Sequence, residues 1–307
     1  MEEKKRMKPL SRRRFLSVCA MTSSIAALPW SNAIAGVPLH HWHGILLGAH
    51  VHLTLAHPRR DKALGIFDRC VQEIKRLENI FTLYDSHSEI SQLNKNGYLD
   101  DPSPEMLDIL IQARRYHTIT KGSFDITIKA LEEGKSPDLV SMDLVSINKK
   151  RIHFEKNGMA VTLNGIAQGY ITDKITELLK QEGLTNVLVE LGEKRALGYH
   201  PDNRPWLVEL PAHDTIVPLS NISMATSAYI SPDTHKPHIF DPGTGMPVQQ
   251  HHNVCVIAKT ATMADALSTG FVSLNTETIR AIQNNHPDIA QVYCSGTPMK
   301  VRKYDHF

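Results

Sequence analysis

The stretch that most constrains the fold runs from Val161 to Gly192. It opens on Val161-Thr162-Leu163-Asn164-Gly165-Ile166-Ala167-Gln168-Gly169-Tyr170, where small residues crowd the start of an amphipathic helix (Ile171, Ile175, Leu178, Leu179) ending near Gly183. A buried strand follows, Val187-Leu188-Val189-Glu190-Leu191-Gly192. Apolar residues at helical spacing give a helix one face to bury, and a short, β-branched apolar run ending at a glycine reads as a strand inside a sheet. Strand, helix and strand in succession predict a crossover unit, hence an α/β or α+β fold. Glycines at a helix start also let a ligand approach the backbone, where free N–H groups and the positive dipole end favour phosphate. The spacing is not the dinucleotide fingerprint Gly-x-Gly-x-x-Gly.

The flanking chain supplies partners for that unit. Val51, Leu53 and Leu55 alternate, so Ile45 to Leu55 reads as a strand. Asp61 to Phe81 (Ala63, Ile66, Phe67, Cys70, Ile74, Leu77) and Pro104 to Thr120 have helical spacing. Gly122 to Thr127 predicts a turn and a short strand. From Leu139 to Val161 short strands surround turns at Asn148-Lys149 and Asn157-Gly158, the second a hairpin signal. A last helix (Glu277 to Asn284) and strand (Ile289 to Cys294) close the chain. With 307 residues, 41% hydrophobic and 21% charged, the length allows one large domain or two small ones.

The first 35 residues read as an address. Ser11-Arg12-Arg13-Arg14-Phe15-Leu16 is followed by a weakly apolar run from Ser17 to Trp30 and by Ala33-Ile34-Ala35 before Gly36. That layout predicts a twin-arginine signal peptide over 1–35, cleaved to leave a domain of 36–307 in the periplasm. The apolar run is too short and interrupted to anchor the chain, so no direct membrane span is expected after cleavage. The leader carries seven Lys/Arg and two Asp/Glu, leaving 27 against 30 in the rest, net −3. No nucleic-acid footprint is present in that balance. Cys70, Cys255 and Cys294 remain after the leader, allowing one disulfide and demanding none. His40-His41-Trp42-His43 reads as loosely ordered early chain rather than a metal site.

Two further stretches carry chemistry. His238-Ile239-Phe240-Asp241-Pro242-Gly243-Thr244-Gly245 puts an imidazole just before a turn that no helix or central strand can continue. In Ala261 to Phe271, Asp265, Ser268 and Thr269 lie at i, i+3 and i+4 on one helix face. One carboxylate and two hydroxyls are hard oxygen donors suited to Mg²⁺, which takes its remaining ligands from phosphate and water. Tyr84 stands among small polar groups, where an aromatic can pack or stack on a flat ligand.

Together with Tyr84-x-x-x-Ser88-Glu89-Ile90-Ser91 and Ser123-Phe124-Asp125, these stretches resemble the ApbE family of FAD:protein FMN transferases, in order and spacing over most of residues 44–296. The resemblance implies a single α/β (α+β) domain with mixed sheets packed by helices. It implies a Mg²⁺-dependent enzyme that cleaves FAD at its pyrophosphate. FMN would pass through a phosphoester bond to a Thr or Ser of an acceptor flavoprotein, with release of AMP. By the same resemblance Gly165 (through its carbonyl), Asp265, Ser268 and Thr269 hold the metal. Leu47, Tyr84, Ser123, Phe124, Asp125, Thr162, Gln168 and Ile239 contact FAD, and His238 is the base for the acceptor hydroxyl. The twin-arginine leader resembles the exported NosX-type subgroup, whose acceptor is a membrane-bound electron-transfer protein of nitrous-oxide respiration. Two alternatives share the flavin site: an FAD pyrophosphatase yielding FMN and AMP, and a non-catalytic periplasmic flavin-binding or maturation protein.

The chain departs from the family pattern at four places. The usual Asp-x-Gly-Gly-Ile-Ala-Lys-Gly reads Thr162-Leu163-Asn164-Gly165-Ile166-Ala167-Gln168-Gly169, so two charged positions are neutral. The usual Gly-Gly-Asp reads Gly192-Glu193-Lys194, the usual Ser-Gly-x-Tyr reads Thr226-Ser227-Ala228-Tyr229, and Leu47 replaces Met. Thr162 cannot do an acid's work on a ribose or a metal.

Overall fold

Alternation along Val51, Leu53 and Leu55 buries one side of a strand while His50 and His52 stay exposed, and the central sheet is built around that strand. The computed structural model describes residues 36–210, 215–230, 239–248 and 250–295. The leader expected over 1–35 and the base expected at His238 lie outside the described residues. Residues from Gly36 onward form one unit.

The described residues open with β1 (Leu39–Leu46) and β2 (Ala49–Ala56), then α1 (Arg60–Phe81), α2 (Glu89–Asn96), β3 (Tyr98–Asp100) and α3 (Pro104–Ile119). A 3-10 turn (Ile126–Ile128) leads into the short α4 (Lys129–Glu132), and β4 (Val145–Ile147) and β5 (Arg151–Phe154) join β3 in a small sheet. Then come α5 (Ala167–Gln181), β6 (Val187–Leu191), β7 (Glu193–Leu197), β8 (Trp206–Leu210), β9 (Thr215–Leu219) and β10 (Ser223–Ala228). The chain continues through β11 (Asn253–Ala258), α6 (Ala261–Phe271), α7 (Thr276–Asn285) and β12 (Ile289–Ser295).

The main sheet has the order β1-β2-β6-β7-β10-β11-β12. Every strand pair among the described residues is antiparallel, which corrects the expectation of mixed sheets and of a crossover. The extended residues before α5 join no strand, and β6 after it runs antiparallel to both β2 and β7. The domain therefore takes the α+β form.

One sheet face carries the principal core, with α1, α5 and α6 packed on it through Phe67, Ile74, Tyr170, Ile175, Leu267 and Phe271. Each such side chain contributes about 1.5–3 kcal/mol on burial. The other face is covered at β7, β10 and β11 by the β8–β9 hairpin, through Trp206, Val208, Leu210, Val217 and Leu219. Both faces of β11 are thus buried, Val254 and Val256 toward the helices and Cys255 and Ile257 toward the hairpin. Cys70, Cys255 and Cys294 are all free thiols, and burial pushes Cys70 and Cys255 up to about 12.

Three local expectations change. His40 to His43 are not loose chain: they lie in β1, paired with β2 from Leu39↔Ala56 to Leu46↔Ala49. Leu47 (φ 55) and Gly48 (φ 70) make the turn between them, the mirror-image turn that matches strand twist. Gly122 to Thr127 forms no strand, because the Asp125 side chain accepts the Thr127 N–H and starts the 3-10 turn instead. The hairpin lies at Asn148, whose Oδ1 accepts the N–H groups of Lys150 and Arg151, and not at Asn157-Gly158.

Candidate active site

Two helix starts meet at the centre of the site. The N-cap position of α5 is Ile166, which offers no side-chain cap, so its first N–H groups need an acceptor from elsewhere. Asp265 of α6 supplies it: Oδ2 accepts the Gly169 N–H at 3.0 Å. Asp173 of α5 caps α6 in return, accepting the N–H groups of Ala261 and Thr262, both at 2.9 Å, and the Thr262 hydroxyl at 2.6 Å. This crossed arrangement requires Gly169. A Cβ there would lie 2.4 Å from the Ala261 carbonyl oxygen and 2.8 Å from the Asp265 Cβ. Gly165 is similarly tight, with the Thr269 Oγ1 at 2.9 Å from an added Cβ.

Beside this junction opens a cavity of about 640 Å³, within the usual range for a small-molecule site. Its wall includes Ser123, Phe124 and Asp125 from the loop after α3, and Thr162, Gly165 and Gln168 from the approach to α5. Asp265 and Thr269 come from α6, Ser227 from β10, Glu193 from β7, and Ile239, Phe240 and Pro242 from the turn segment. Ser227 Oγ lies 2.7 Å from Ser268 Oγ and 3.1 Å from Thr269 Oγ1, so β10 and α6 bring three hydroxyls together. The turn itself is closed by Asp241, whose Oδ1 accepts the N–H groups of Gly243 and Thr244.

Asp125 is buried and fully engaged. Its carboxylate accepts Thr127 N–H and Oγ1 and the Met142 N–H, and His117 Nδ1 lies 3.2 Å from Oδ2. The Asp125 hydrogen bond outweighs burial and holds the His117 imidazole above its ordinary value. Asp125 therefore shapes the loop that presents Ser123 and Phe124. The Thr162 hydroxyl likewise serves its own turn, accepting the Asn164 N–H at 3.3 Å.

Asp265 and Glu193 differ from these. Asp265 is 4% exposed, and burial pushes it up to about 7, with the Gly169 N–H pulling the other way. Glu193 is 7% exposed, and burial followed by the Asp265 charge raises it well above the usual carboxylate range. Among the described residues Glu193 Oε2 has no hydrogen-bond partner, and no Lys or Arg lines the cavity. Among the described residues no three His, Cys, Asp or Glu side chains converge as a ready-made metal cluster.

Nine of the expected site residues line one cavity: Ser123, Phe124, Asp125, Thr162, Gly165, Gln168, Ile239, Asp265 and Thr269. Ser268 lies just behind, fully buried and donating to the Asp265 carbonyl at 3.0 Å. Leu47 sits in the β1–β2 turn, packed against the principal core, and Tyr84 is fully exposed at 101% in the loop before α2; neither is in the cavity wall. Sequence reasoning missed Glu193 and Ser227, which also line the cavity. The departures at Gly192-Glu193-Lys194 and Thr226-Ser227-Ala228 were the available signal.

A model of the ApbE family matches residues 47–293. The FAD:protein FMN transferase of Haemophilus influenzae is 29% identical over 242 residues, covering 66% of this chain and 70% of its own. That of Chlamydia muridarum is 28% identical over 256 residues, covering 73% and 79%. In fold, the flavin transferase ApbE from Vibrio cholerae superposes with a TM-score of 0.72 at 21% identity, over 84% of this chain and 97% of that one. The apo flavinyl transferase ApbE of Pseudomonas stutzeri gives 0.73 at 22% identity, over 82% and 89%.

Proposed function

The chain belongs to the ApbE family, and on that premise we propose that it transfers FMN from FAD to a Thr or Ser hydroxyl of an acceptor flavoprotein. The curated relatives are named for that activity. The observation that carries the reading is the junction where Asp265, the start of α5 and the Ser227 and Thr269 hydroxyls line a cavity of about 640 Å³, with the Ser268 hydroxyl just behind. Phe124, Ile126, Ile239 and Phe240 give that cavity apolar walls for a flat ring.

A divalent cation fits the donor set. A diphosphate entering beside Asp265 and Glu193 meets two carboxylates and no Lys or Arg among the described lining residues. A cation between anionic substrate and ionised wall removes their repulsion and favours the charged form of both buried carboxyls. Asp265, Ser268, Thr269 and the Gly165 carbonyl are hard oxygen donors suited to Mg²⁺. Mg²⁺ there would neutralise the diphosphate and the charge developing on AMP as it leaves.

His238 takes the proton of the acceptor hydroxyl, which a neutral imidazole can do near pH 7. The hydroxyl oxygen bonds to the FMN phosphorus, the pyrophosphate P–O bond breaks, and AMP departs. The next residue, Ile239, lines the cavity, which supports this assignment. The Arg12-Arg13 leader and its small-residue cleavage signal support twin-arginine export to the periplasm. There the acceptor would be a membrane-bound electron-transfer protein of the NosX-type systems. No helix among the described residues is long and apolar enough to cross a membrane.

Incubating the protein with FAD, Mg²⁺ and an acceptor domain, and reading the acceptor's intact mass, tests the proposal. A gain of one FMN less one water, abolished by EDTA, is expected. Free FMN and AMP with an unchanged acceptor would replace transfer by hydrolysis. Intact bound FAD would make the protein a flavin carrier.

A further inference from the structure

Glu193 stands outside the ligand set that the resemblance supplies, yet its surroundings single it out. Gly192 (φ 94) turns the chain between β6 and β7 in a conformation that favours glycine, and a Cβ there would lie 3.0 Å from Gln168 Oε1. The turn is thereby pressed onto the first turn of α5, and Glu193, the next residue, is directed into the cavity wall that Asp265 shares. Its side chain is more than nine-tenths buried, and Oε2 has no partner among the described residues. The adjacent Lys194 offsets this only in part: its charge acts on Glu193 less than burial and Asp265 do, its ammonium lies 3.7 Å from Glu190, and it is not in the cavity wall.

Glu193 accepts the Thr226 N–H, but its other oxygen has no partner among the described residues, and two buried carboxyls side by side stay protonated unless a cation favours their charged forms. The junction offers no such side chain. At the place where the family pattern has an acid, Thr162 brings no charge, and its hydroxyl is held by the Asn164 N–H. We propose that Glu193 is the second carboxylate ligand of the cation bound by Asp265, supplying the anionic charge that Thr162 does not. This rests on the reading of the cavity as a Mg²⁺–FAD site. It also gives the exchange of Lys for Gln168 a physical sense. A lysine there would neutralise Glu193, whereas a neutral amide leaves it free for the metal.

Titration with Mn²⁺ alone, followed by loss of the free-ion EPR signal with no flavin present, tests the ligand without reference to turnover. Wild-type protein is expected to bind one Mn²⁺. Glu193→Gln should weaken that affinity by at least about tenfold, while Glu190→Gln, outside the cavity, should bind as wild type. Wild-type affinity in a folded Glu193→Gln protein overturns the proposal. If that variant does not fold, infrared difference spectra of wild type carrying ¹³C-carboxyl Glu decide: a Glu carboxylate band must shift on Mg²⁺ addition, and a spectrum with no such shift overturns it. Failure of wild type to bind Mn²⁺ removes the cation reading itself, and with it this proposal. That outcome differs from selective indifference to residue 193.

Discussion

Asp173 and Asp265 perform the same local task on opposite helices, and their surroundings differ in one respect. Each reaches across the α5–α6 contact to cap the other helix. Asp173 receives three hydrogen bonds, and Arg195 Nη1 lies 3.1 Å from its Oδ1, so its charge is met within the fold. Among the described residues the Asp265 side chain receives one hydrogen bond, from Gly169, and shares its cavity with Glu193, whose Oε2 has no partner, rather than with a Lys or Arg. Asp125 falls on the first side of this divide, held by Thr127, Met142 and His117. A buried carboxylate fully satisfied by protein groups builds structure. One left short of positive charge is a candidate ligand-binding point.

The most damaging way to break the comparison is at the point both halves share. Gly169→Ala puts a Cβ 2.4 Å from the Ala261 carbonyl oxygen, which must force α5 and α6 apart. The expected loss is about 1–3 kcal/mol or more, seen as a fall of several degrees in Tm, with flavin transfer lost because Asp265 no longer meets its helix. Next in size is Asp173→Asn. It removes the charge facing Arg195 and weakens the cap on α6, at a cost of about 1–3 kcal/mol, measurable by urea unfolding. Transfer rates well below Tm should stay within a few-fold of wild type. The smallest effect is expected at Asp125. His117 is held above 6.5 by that carboxylate, so its contribution to stability is complete below 6.5 and is lost as pH rises through its folded value. His117→Gln should flatten the stability profile above pH 6.5 while leaving FAD binding in place, as unfolding midpoints across pH would show.

Much of the candidate site's lining was legible in the sequence because its residues sit on strongly patterned elements. The apolar spacing of α1, α3 and α5 and the alternation of β2 survive folding unchanged, and they carry or support the Gly165–Gln168 and Asp265–Thr269 stretches. The strands that complete the cavity were illegible for equally physical reasons. Glu193-Lys194-Arg195 has three charged residues in a row and no apolar alternation to mark a strand, although its first carboxylate is buried in β7. Ser223 to Ala228 is made of small and polar residues without alternation, yet β10 lies between β7 and β11. The antiparallel pairing of β6 could not be read from strand, helix and strand in succession, because pairing depends on partners distant in the chain. Tyr84 shows the converse: an aromatic among small polar groups invites a stacking role, but its ring stands in solvent outside the cavity.

The contrast between the two aspartates is tested most directly by the initial rate of FMN transfer in Asp265→Asn, with Asp173→Asn assayed beside it below the Tm of both. The amide keeps an oxygen for the Gly169 N–H and removes only the charge. Asp265→Asn should fold, melt within a few degrees of wild type, and transfer FMN at least about a thousandfold more slowly, as expected when several kcal/mol of charge stabilisation is removed. Asp173→Asn should melt earlier and transfer at close to the wild-type rate. A wild-type rate in Asp265→Asn would contradict the assignment of the reaction centre to this junction.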